Sequence, residues 1–145
     1  MAHIGKFYGS FLLSAMNKEV DLDSDTLKVM LCTSAYTPNQ DTHRYKSAIT
    51  GEVSGSGYTA GGVTLTGVTV TYNAATKTLK LDADDASWPA ATITARHAVI
   101  YDSTPGSDAT RPLIGYTTFD QDISSTAAAF QLIWDPAGIC TMTVS

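Results

Sequence analysis

The chain has 145 residues, a formal net charge of −5 and only 16% charged residues, well under the roughly 25% of an average soluble domain. That length falls in the range of a single domain able to bury one hydrophobic core. An acidic surface repels phosphate backbones and anionic lipid, so neither nucleic acid nor membrane is expected as a direct partner, and no apolar run approaches the ~20 residues a bilayer demands.

The missing charge is replaced by Thr, Ser, Gly and Ala rather than by the Lys, Glu and Pro of disordered chains. Branching at Cβ costs side-chain freedom in a helix but suits a pleated, half-buried surface, so the Thr and Val content points to β structure. The start, Met1-Ala-His-Ile-Gly-Lys6, lacks the cationic and apolar regions of a secretory leader. Folding in a reducing cytoplasm is therefore expected, with Cys32 and Cys140 as two buried thiols. Their spacing leaves a disulfide open.

From Lys6 to Met16, Phe7, Phe11 and Ala15 recur four apart with Leu12 and Met16 beside them. This pattern predicts a short amphipathic helix, with an edge strand as the alternative because Gly9 weakens a helix. Asp21, Asp23, Ser24 and Asp25 make a polar turn. From Leu27 the period becomes two, with Leu27, Val29 and Leu31 on one face and Lys28, Met30 and Cys32 on the other. Residues 37–62 carry no clear periodicity beyond one helical turn over His43–Ile49, and an irregular stretch of that length is often functional or packed by its own side chains.

Val63 to Tyr72 reads as a strand whose phase flips at Gly67, which suggests a bulge or a passage between sheets. Asn73-Ala-Ala-Thr76 connects it to Lys77–Leu81 as a hairpin. Further strands are expected where Ile93, Ala95, His97, Val99 and Tyr101 alternate with polar residues, over Leu113–Phe119, and over Phe130–Trp134. The Asp135-Pro-Ala-Gly138 turn signal then pairs the last of these with Ile139–Val144. The expected architecture is mainly β: an antiparallel sandwich or barrel of about seven short strands, a short N-terminal helix and one long irregular loop.

No catalytic constellation assembles from this sequence, and no enzyme activity, metal or cofactor is expected. Asp21-x-Asp23-x-Asp25 and Asp82-x-Asp84-Asp85 offer carboxylates but lack the glycine and distal glutamate of a calcium loop, so turn capping is the favoured role. His3, His43 and His97 are dispersed, without a metal-ligand spacing. His97 lies on an apolar strand face and reads as a hydrogen-bonded core or interface histidine. No serine sits in a nucleophile elbow, and Gly55-Ser-Gly57 does not open a helix as a phosphate loop must. Aromatic side chains remain as candidate interface anchors: Phe7 and Phe11 in the N-terminal segment, and Tyr36, Tyr45 and Tyr58 in or beside the long loop. For the three tyrosines, pinning the loop onto a sheet is an equal alternative.

Four strings carry a resemblance: Asp25-Thr-Leu-Lys-Val-Met-Leu-Cys-Thr-Ser-Ala-Tyr-Thr-Pro-Asn-Gln-Asp-Thr-His43, Glu52-Val-Ser-Gly-Ser-Gly-Tyr-Thr-Ala-Gly-Gly62, Ala91-Thr-Ile-Thr-Ala-Arg-His-Ala-Val-Ile-Tyr101 and Pro112-Leu-Ile-Gly-Tyr116. Together they resemble a family of small virion structural proteins of tailed bacteriophages and prophages. The resemblance runs over nearly the whole chain, and the Glu52–Gly62 string is its most specific part. It implies a capsid decoration, or cement, protein that binds the major capsid protein and copies of itself on the outside of the virion, after folding in the host cytoplasm. Such proteins are homo-oligomers, often trimers at lattice three-fold positions. A receptor- or glycan-binding module on a tail or head fibre is the alternative, and a small envelope hydrolase lacks any site geometry.

Overall fold

A computed structural model describes residues 2–145. In chain order the elements are β1 (Ala2–His3), β2 (Lys6–Phe7), α1 (Gly9–Met16), β3 (Leu27–Cys32), a 3-10 turn (Lys46–Ala48), β4 (Val63–Thr64), β5 (Thr69–Asn73), β6 (Thr78–Asp82), β7 (Ala86–Asp102), β8 (Leu113–Trp134) and β9 (Cys140–Thr143). The fold is mainly β, as composition and periodicity predict. Both readings of the N-terminal segment hold in part, since Lys6–Phe7 is a strand and the helix begins at Gly9.

Two sheets form. The larger runs β1, β8, β7, β3, β4, with β2 also on β8, and the smaller runs β5, β6, β9. All pairings are antiparallel except β1 with β8, which is parallel. Gly67 lies between β4 in the larger sheet and β5 in the smaller, so the phase flip marks a passage between sheets. The β5–β6 hairpin is present in the expected place.

Two expectations are corrected. The last two strands do not form a hairpin: Asp135-Pro-Ala-Gly138 does turn, with the Gly138 N–H donating to the Asp135 carbonyl, but it carries the chain to the other sheet, where β9 pairs with β6. The two strands expected over Leu113–Phe119 and Phe130–Trp134 are parts of one 22-residue strand, paired with a 17-residue β7. Asp120–Ala129 carries small and polar residues without alternation, which conceals the continuity.

That long ribbon is bent back on itself. β1 pairs with Ile133 and Trp134, and β2 pairs with Gly115 and Tyr116, yet only Ile4 and Gly5 separate β1 from β2. Those few residues reach roughly 10–15 Å at about 3.5 Å each, whereas β8 drawn straight from Tyr116 to Ile133 would cover about 55 Å. The bend lies where β7 pairs Ala95 with Ile123 and then His97 with Thr118, so that Phe119–Asp122 stand opposite Arg96 alone. There the Arg96 Nε donates to Asp122 Oδ1 at 2.7 Å. The bulge also flips the faces of β7: Ile93 and Ala95 point into the main core, but beyond the bend Ala98 and Ile100 take that role. Val99 and Tyr101, expected on the same face as Ile93, lie in a second apolar layer.

The two layers sit on opposite faces of β3. Leu27, Val29 and Leu31 enter the main core with Trp88, Phe130, Leu132 and Trp134, while Met30 and Cys32 pack outside with Tyr8, Tyr36, Tyr101 and Leu113. The long loop meets both layers, with Ile49 packing on the outer one and Val53 and Tyr58 on the main core. Cys32 and Cys140 are buried, unbonded and in different layers.

Candidate interaction surface

The glycine-rich string is held by internal chemistry. The Tyr58 hydroxyl donates to Glu52 Oε1 at 2.9 Å and accepts the Leu31 N–H at 3.0 Å, while the Gly61 N–H donates to the same carboxylate oxygen at 2.5 Å. Gly57 and Gly62 both have positive φ, 81° and 80°, and a Cβ on either would collide with backbone, at Ala90 and Val29 respectively. The string therefore lies flat against β7 and β3, which only glycine permits at these two positions.

The tyrosines expected as anchors mostly pin the loop. Tyr36 is buried, and its hydroxyl bridges the buried Tyr8 hydroxyl at 2.8 Å and His43 Nδ1 at 2.9 Å. Tyr58 stacks near Trp88. Tyr45 is partly exposed and donates to Glu19 Oε2 at 2.9 Å, beside the ion pair that Glu19 makes with Arg44. Phe7 and Phe11 are buried and stacked, with ring centroids 4.9 Å apart, and Phe7 is among the residues lining a groove beside Leu12 and Met142.

Several titratable groups are likewise engaged. Burial raises Tyr8 and Tyr58 well above the usual phenol value and Tyr36 to about 12, and it holds both thiols up at about 12. A thiol so raised stays protonated and is a poor nucleophile. His97 is buried, shares a hydrogen bond with Thr118 Oγ1 at 2.9 Å, and is held low by burial. Asp21, Asp25, Asp84 and Asp85 bind the Asp23 N–H, the Asp21 N–H, the Thr66 hydroxyl and the Trp134 N–H. These are turn-capping and strand-end bonds. Among the described residues no three His, Cys, Asp or Glu converge to hold a metal ion, and no helix is long and apolar enough to cross a membrane.

What remains free is an apolar surface around α1. The helix buries Phe11 and Ser14 but leaves Leu12 and Leu13 about half exposed and Met16 77% exposed. Beside it, the smaller sheet continues past the core. The row Val70, Leu81, Cys140 packs into the core region; in the next row Leu79 and Met142 still pack against it, whereas Tyr72 is 54% exposed. A groove of about 580 Å³ separates Ala15 of α1 from Val70 of β5, and one of about 380 Å³ runs from Leu12 to Met142 of β9. Leu12, Leu13, Met16, Tyr72 and Val144 are five of the seven large apolar side chains exposed among the described residues. Three of them, Leu12, Leu13 and Met16, lie on one short helix; a scattered exposed leucine is ordinary, whereas apolar side chains grouped on one element are the usual mark of a surface that meets a partner.

No protein-family model, curated protein or solved structure matches the chain.

The sequence reading names Phe7 and Phe11, which are buried, as interface candidates and does not name Leu13 and Met16, which are exposed. The signal is present, because Phe11-Leu-Leu-Ser-Ala-Met16 is apolar on more than one side of a helix. A surface helix of that kind needs cover on both sides.

Proposed function

We propose that this chain is a non-enzymatic structural protein of a tailed-phage particle, a decoration subunit that docks on the shell built by the major capsid protein. One observation supports this reading above others: Leu12, Leu13 and Met16 of α1 stand uncovered, with Tyr72 exposed on the smaller sheet, while the loop tyrosines and His97 are bonded within the fold. A shell-binding protein needs a rigid body and an adhesive face, and no reacting group. The resemblance of the Glu52–Gly62 string to phage virion proteins favours the particle setting.

Stoichiometry tests it. Purified particles should carry on the order of hundreds of copies, as binding to a symmetric lattice requires; a handful per particle would contradict a shell role. A fibre module is the second reading, favoured by a shallow, mostly polar depression whose lining includes Glu52, Ser54, Thr92 and Thr126. Particles lacking the protein would then stay intact but adsorb poorly to cells.

A further inference from the structure

The smaller sheet has an open edge, and its register fixes which main-chain groups that edge offers. The carbonyls of Lys77 and Leu81 accept the N–H groups of Val144 and Ile139, so the odd-numbered residues from Lys77 to Leu81 bond toward β9. By alternation Thr78, Lys80 and Asp82 bond toward β5, where their partners are Asn73, Thr71 and Thr69. The N–H and C=O groups of Val70 and Tyr72 therefore point away from β6, and among the described residues no strand pairs with β5 on that side. Native edges are usually blunted by a charge, a proline or a bulge. Thr69-Val-Thr-Tyr-Asn73 has no charge and no proline, and its ladder with β6 runs without a register shift. The edge of β3, by contrast, is covered, since the Leu27 and Leu31 carbonyls accept the Leu65 and Val53 N–H groups.

We propose that β5 pairs antiparallel with β5 of a second copy, about a two-fold axis through Thr71, joining two small sheets into one of six strands. The pattern of the edge chooses this occupant. Val70 and Tyr72 are the outward-bonding residues and lie symmetrically about Thr71, so in that register Val70 exchanges both main-chain bonds with the partner's Tyr72, and the axis repeats the exchange. Valine opposite tyrosine and threonine opposite threonine are favourable cross-strand pairs. Directly opposed side chains share a face of the sheet, so the partner's Tyr72 stands beside Val70, which lines the groove of about 580 Å³ together with Ala15, Val20 and Leu22. A ring that is 54% exposed in the single chain thereby gains apolar neighbours. The charges agree with this direction. Antiparallel pairing sets the hairpin end of one β5–β6 unit, with Lys77, toward the opposite end of the other, where Asp84 lies against Gly67. An unrelated strand would bond the same main-chain groups without needing this symmetry.

Pairing is measured on the chain alone, so its outcome and that of the shell role are separate results. Thr71 opposite itself is a pair without mutual bonds, with Cα atoms about 4.5 Å apart, inside the range that a disulfide spans. Thr71→Cys, oxidised in solution, should therefore form a cross-linked dimer. Thr69→Cys, exposed on the same face but about 14 Å from its copy, should cross-link at least about 10-fold more slowly. The native thiols, Cys32 and Cys140, are buried and do not compete. Sedimentation of the parent at concentrations on the order of 100 μM should show a dimer, and Tyr72→Pro, which removes an outward N–H and leaves the β6 ladder intact, a monomer. If Tyr72→Pro unfolds, Tyr72→Lys is read in its place, because it sets a charge on the edge and keeps every ladder bond. A parent chain that stays monomeric, a trimer, equal cross-linking at Thr69 and Thr71, or a dimer that survives the folded Tyr72 variant overturns the proposal.

Discussion

Asp102 pays a local cost in this fold that pH can reveal. It is fully buried; one carboxyl oxygen accepts the Thr104 N–H at 2.9 Å, and the other has no hydrogen-bond partner among the described residues. Burial first, and then the neighbouring Asp25 carboxyl, raise it from 3.8 to about 6. The folded state therefore holds a proton that the unfolded chain releases at lower pH. Its stabilising share is complete below about pH 4 and is lost as pH rises through about 6. Asp102→Asn, neutral throughout, should flatten that fall and be more stable than the parent at pH 7.5, on the order of 1–3 kcal/mol. Denaturant titrations at pH 4.5 and 7.5 measure it, and an equal loss at both values would rule the explanation out. Gly62→Ala should cost at least about 3 kcal/mol, because a left-handed backbone and the Val29 carbonyl both exclude a side chain there; a melting curve within a degree or two of the parent would contradict this. At this scale the sequence was legible in kind but not in place. A glycine-rich string with tyrosines announces a special conformation, yet the Glu52–Tyr58–Gly61 network depends on the Leu31 N–H from a strand 27 residues away, which no local pattern encodes.

Among the elements, the strands with period-two alternation were readable: β3, the β5–β6 hairpin and the outer parts of β7 and β8. The ribbon's bend was not. Four residues stand opposite one at Arg96, so alternation breaks on β8 and changes face on β7. Asp120–Ala129, largely exposed, lacks the apolar residues that would reveal a strand. The helix was legible as an element and misleading as a surface, since the four-residue spacing of Phe7, Phe11 and Ala15 marks the buried stripe. The exposed one follows Leu12, Leu13 and Met16. Two substitutions separate these roles. Phe11→Ala, inside the core, should destabilise by about 3–5 kcal/mol, whereas Leu13→Ser with Met16→Ser should change stability by no more than about 1 kcal/mol. Thermal unfolding of the two variants reads both; a large loss from the second would mean that α1 holds the chain together with the face assigned here to a partner.

For the whole molecule, composition was the more reliable guide. Low charge, abundant Thr and Val and turn residues between short apolar runs led to a mainly β fold, and the architecture of two sheets followed in outline. Sheet membership did not, because the Asp135–Gly138 turn is a local signal, whereas β9 pairs with β6, a strand far earlier in the chain. The functional reading joins an internally bonded body to the apolar surface that α1 leaves uncovered. Its most direct test is a reconstruction of the purified particle fine enough to resolve side chains. The account predicts this chain in many copies on the outer shell, with Leu12, Leu13 and Met16 pressed against the major capsid protein. Copies confined to the tail, or a shell-bound chain with α1 facing solvent, would contradict it.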